Sequence, residues 1–67
     1  MTDTVLLKDR IRESGYKVSY IAKQCGLTYK AFFDRMNGRV EFKVNEVRAL
    51  KETLKLSDKD MQKIFYS

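Results

Sequence analysis

Four pairs of apolar residues, each five positions apart, constrain this chain more than any other feature: Tyr16/Ile21, Leu27/Phe32, Phe42/Val47 and Leu56/Met61. An apolar residue just outside a helix packs on the fourth residue inside it and fixes how the chain enters. Each pair therefore marks a helix start, with caps at Lys17, Thr28, Lys43 and Ser57. Thr28 and Ser57 are good capping residues, whereas lysine is a poor one. Between these starts the apolar residues recur at helical spacing and never alternate, so the fold class is all-α.

The spacing predicts five helices: about Thr4 to Ser14, Val18 to Cys25, Tyr29 to Met36, Val44 to Leu54 and Asp58 to Phe65. The first buries Leu7 and Ile11, has Leu6 at its edge and stops at Gly15. The second carries the stripe Val18, Ile21, Ala22 and Cys25. The third buries Phe32 and Met36 and ends at Asn37-Gly38. The fourth is expected to turn Val44, Val47, Leu50 and Leu54 inward, and the last Met61, Ile64 and Phe65.

At 67 residues the chain makes one domain, 1–67, with a single small core. Its formal charge of +5 makes an anionic partner a reasonable expectation. There is no histidine and one cysteine, Cys25, which rules out an internal disulfide and the usual zinc or Cys/His sites. No cofactor is expected. A lone cysteine on an apolar stripe reads as core filling in a reducing compartment, and no apolar run approaches the roughly 20 residues of a membrane span, so a cytoplasmic location is expected.

The stretch IAKQCGLTYKAFFDRMNG, Ile21 to Gly38, places Gly26 between two short helices. Glycine takes the left-handed conformation that ends a helix without steric cost. Leu27 then anchors the turn, Thr28 caps and Phe32 packs back, while the small Ala22 lets the helices approach. That is the pattern of a helix-turn-helix.

From Leu7 to Phe65 the chain resembles the small Cro/CI-type repressors of temperate phages, within the Xre class of lambda-repressor-like domains. The residues that carry the resemblance are GYKVSYIAKQCGLTYKAFFDRMNGRVEF and VNEVRALKETLKLSDKDMQKIF. It implies a five-helix domain whose third helix lies in the DNA major groove, with Tyr29, Lys30 and Asp34 at base-reading positions.

The residues themselves agree with such a role. With Phe32 and Met36 inward, Lys30, Phe33 and Asp34 point outward. Lys30 can donate to guanine, Asp34 can accept from a cytosine amino group and Phe33 can meet a thymine methyl. Thr28 and Tyr29, at the start of this helix, are candidate DNA contacts as well. Lys17 and Ser19 lie at the start of the second helix, and Asn37, Arg39 and Lys43 follow the third, as candidate phosphate contacts. Lys17 and Lys43 also put positive charge beside helix starts, which a bound phosphate would relieve; the plainer alternative is that these ends fray into water. Residues up to Lys43 hold nine basic against five acidic side chains, the rest five against four. The competing account makes Lys30 and Asp34 a solvated i,i+4 pair and Phe33 one more core residue.

The leading expectation is a sequence-specific, double-stranded DNA-binding regulator of phage or mobile-element origin, Cro-like. It would act as a homodimer on a palindrome through its C-terminal segment MQKIFYS, with Phe65 and Tyr66 at the contact. The alternative is a protein-interaction module, an antirepressor or antitoxin-like partner, suggested by the aromatic group Tyr20, Tyr29 and Phe33. An enzyme is not expected. The carboxylates Asp34, Glu41, Asp58 and Asp60 form no acid/base pair, and Ser14, Ser19, Ser57 and Ser67 have no histidine to activate them.

Overall fold

A computed structural model describes residues 1–66; Ser67, the last residue of MQKIFYS, lies outside them. Five helices account for the regular structure of the described residues: α1 Thr4–Ser14, α2 Val18–Gln24, α3 Tyr29–Met36, α4 Val44–Leu54 and α5 Asp58–Phe65. α1 packs on α3, α4 and α5, and α2 packs on α3 and α4. None of the helices is long and apolar enough to cross a membrane.

Each helix contributes one essentially fully buried side chain to a common centre: Leu7, Ile21, Phe32, Leu50 and Ile64. Burying a side chain of this kind contributes about 1.5–3 kcal/mol, and Ile11, Met36, Leu56 and Met61 extend the same core. Phe42, in the loop after α3, meets Phe32 edge-on at 5.8 Å and Phe65 at 5.9 Å. It thereby ties α3 to α5. The two ends of the chain meet where the Asp3 N–H donates to the Ile64 carbonyl at 2.7 Å.

The helix starts follow the apolar pairs. The Thr28 hydroxyl accepts from the Ala31 N–H at 3.1 Å, and the Ser57 hydroxyl accepts from the Asp60 N–H at 3.0 Å. Asp60 returns the favour by accepting from the Ser57 N–H at 3.3 Å. Lys17 and Lys43 make no side-chain cap. Lysine carries no acceptor, so at α4 the Glu46 carboxylate does the work alone, taking the Lys43 N–H at 2.9 Å.

Two expectations need correction. Val44 is not inward but 75% exposed. It is the first residue of α4, and the burial there goes to Glu46, whose capping role turns that side of the first turn toward α3. Tyr16 is half-exposed with its ring 5.0 Å from that of Tyr20, and α2 starts where the Tyr16/Ile21 spacing predicts, with Lys17 as its N-cap. Cys25 stands just past α2 as its C-cap, still buried.

Candidate nucleic-acid interface

Two left-handed glycines shape the surface around α3. After α2, Gly26 has φ +72°, the Gly26 N–H donates to the Lys23 carbonyl at 3.0 Å, and the Leu27 N–H donates to the Ala22 carbonyl at 2.9 Å. This double bond closes α2 and turns the chain into α3 within four residues. The same device ends α3. Gly38 has φ +80°, its N–H donates to the Arg35 carbonyl at 3.1 Å, and the Arg39 N–H donates to the Asp34 carbonyl at 2.9 Å.

The second turn matters because it carries Arg39 back across the helix it ends. The Arg39 guanidinium lies 5.9 Å from the centre of the Phe33 ring and 3.5 Å from Asp34. From the other side Lys30 Nζ reaches Asp34 at 3.4 Å. Phe33, 39% exposed, runs nearly parallel to Tyr29, 55% exposed, with 6.2 Å between ring centres and 18° between planes. The outer face of α3 is thus an aromatic pair flanked by two cations that share one carboxylate. A shallow hollow is lined by Tyr29, Lys30 and Phe33.

Phe33 is therefore not a core residue, and Phe32 and Met36 fill the buried side as the spacing predicts. The i,i+4 pair of Lys30 and Asp34 is also present, so the same two residues fit both accounts given above. Asn37 is more committed than expected. Its amide nitrogen donates to the Phe33 carbonyl at 2.9 Å, and its oxygen accepts from Lys8 Nζ at 2.6 Å. Lys17 and Ser19 stand exposed at the start of α2, and Lys43 stands exposed just before α4. Among the described residues no ion pair joins these three to the α3 cluster. Among the described residues the Lys17 and Lys43 ammonium groups make no ion pair.

One functional support escapes a reading of sequence alone. Arg35 Nε donates to Glu46 Oε1 at 2.8 Å while an Arg35 terminal nitrogen donates to the Ala31 carbonyl at 3.2 Å. Glu46 is only 3% exposed. Its place three residues after the cap position was the available signal, since a glutamate there commonly takes the cap N–H. The buried Cys25 lies alongside, its sulfur 3.9 Å from the Glu46 carbonyl oxygen. Burial, with the nearby Glu46 charge adding to it, pushes the Cys25 thiol up to about 11 from its ordinary 9.0.

Comparison with family models, with curated proteins and with solved structures returned no match.

Proposed function

We propose that this chain is a sequence-specific binder of double-stranded DNA, a Cro-like transcriptional regulator of lambda-repressor-like fold that lays α3 in the major groove. The observation that carries the reading is the outer face of α3, where Tyr29 and Phe33 lie side by side between Lys30 and Arg39. An exposed α-helix bearing hydrogen-bonding, apolar and cationic groups along one side meets what base edges and flanking phosphates offer. In this reading Tyr29, Lys30, Phe33 and Asp34 face bases, and Thr28 supports the start of the helix. Lys17, Ser19, Arg39 and Lys43 face phosphates, with Asn37 bracing the end of α3. A domain this small covers a short half-site, so two copies on a palindrome complete the reading.

A second reading has its own support. Two exposed aromatic pairs, Tyr29/Phe33 and Tyr16/Tyr20, suit a protein partner as well as a duplex. Salt separates the two. Fluorescence anisotropy of a labelled duplex library should show log affinity falling linearly with log salt concentration, by nearly one unit of slope per phosphate contacted. Capture of a protein, with no duplex binding even at low salt, would favour the second reading.

A further inference from the structure

Val44 stands exposed on the first turn of α4. With Val47 and Tyr66 (64% exposed) it forms an apolar ridge between α4 and the end of α5, and two hollows flank it with these three residues as their common wall. Glu41 lines one hollow; Arg48, Lys51 and Asp58 line the other. Lys51 and Asp58 satisfy each other at 2.6 Å. Glu41 and Arg48 make no ion pair among the described residues. The ridge therefore has an uncommitted acid on one side and an uncommitted base on the other.

We propose that this face docks a second copy of the chain, ridge against ridge about a two-fold axis, with Glu41 of each copy meeting the partner's Arg48. A two-fold contact uses the same patch twice, so it must complement itself. An apolar centre flanked by opposite charges does so, because the rotation brings each charge over its opposite. A nucleic acid gains little on this face, where Glu41 and Asp58 offset Arg48 and Lys51 and leave no excess of positive charge. The proposal specifies the surface for the pairing invoked above and centres it on α4, with Tyr66 as one contributor from the C-terminal segment. It is measured without DNA, so its failure leaves the role of α3 standing.

A ridge of three apolar side chains is a small centre for an interface, the standard stable one taking roughly 800 Å² per partner, so weak association is expected, with a dissociation constant on the order of 10–100 μM. Sedimentation equilibrium of the full chain, from about tenfold below to tenfold above that range, should show a monomer–dimer equilibrium. Val44→Asp should weaken it at least about tenfold, as expected for a charge buried at the centre of an interface. Because Val44 is exposed and opens α4, where an acid suits the helix dipole, the variant should keep its helical circular dichroism and thermal midpoint. Glu41→Arg and Arg48→Glu should each weaken self-association. Mixing those two variants should restore pairing, because every facing position then carries opposite charges. A chain that stays monomeric throughout, a dimer indifferent to Val44→Asp, or a mixture no better than its components would each overturn the proposal.

Discussion

Arg35 and Glu46 form an ion pair at 2.8 Å, nearly shut off from water, that fastens the C-terminal half of α3 to the first turn of α4. Between them in sequence run Arg39 and Lys43, two of the proposed phosphate contacts, so the pair sets where that loop lies. Removing one partner strands the other charge in a dry site, which costs about 3–5 kcal/mol. Glu46→Ala should therefore lower the free energy of unfolding by that amount in urea titrations. Adding Arg35→Met should recover part of the loss, since no charge then stays unpaired. Equal and additive losses from the two substitutions would mean that the side chains do not depend on each other.

Asp34 holds Lys30 at 3.4 Å and Arg39 at 3.5 Å, and a duplex would draw both cations away. Asp34→Asn should raise affinity for random-sequence duplex, because it removes a negative charge from the face and releases two positive ones. In the same protein, preference at one base position should fall by about 1–3 kcal/mol, the usual discrimination of a direct base contact. Lys30→Ala should weaken duplex binding. Anisotropy titrations against specific and random duplexes report both quantities. Unchanged affinity and preference for Lys30→Ala would remove α3 from the interface.

Cys25 keeps its proton to about pH 11 in the folded chain, whereas an unfolded thiol gives it up near pH 9. Between those values the unfolded state binds fewer protons, so raising pH favours unfolding. This contribution is complete below pH 9 and disappears as pH rises through about 11. The slope attributable to Cys25 should reach about 1.1 kcal/mol per pH unit at its steepest, near pH 10. Stability curves from pH 8 to 11.5 for the wild-type chain and Cys25→Ala should diverge in slope across that window. At neutral pH the native thiol should resist alkylation until the chain unfolds.

Lys55 has φ +54°, the one non-glycine residue with positive φ among those described, and its turn closes α4. A side chain in that conformation costs roughly 1–2 kcal/mol, part of which glycine returns as extra freedom in the unfolded chain. Lys55→Gly should therefore raise stability by about 0.5–1 kcal/mol, read from the denaturation midpoint. A loss of stability would show that the lysine stem contributes packing worth more than the backbone strain.

The sequence is most legible where one local signal has a single structural outcome. Leu27/Phe32 and Leu56/Met61 mark α3 and α5 correctly because Thr28 and Ser57 also supply real caps. Gly26 and Gly38 mark turns because each needs a left-handed backbone. Legibility fails where two signals compete for one helix turn. At the start of α4, apolar periodicity favours burying Val44, yet Glu46 is the residue taken inside, because it satisfies the Lys43 N–H and Arg35 together. At Tyr16 the five-residue spacing marks the start of α2 correctly, but it does not foretell the ring contact with Tyr20. On the candidate site, the outward direction of Tyr29, Lys30, Phe33 and Asp34 follows from helical period alone. That Arg39 lies over Phe33 does not, since it depends on the turn at Gly38 bringing the chain back.

Whether α3 reads DNA sequence is decided by selecting bound duplexes from a random pool at about 0.15 M salt, where loose charge contacts are screened. Enrichment of a palindrome, with half-sites about one helical turn apart and preferences that change in Asp34→Asn, is the expected result. Recovery of no duplex, or of duplexes without any shared motif, would contradict it.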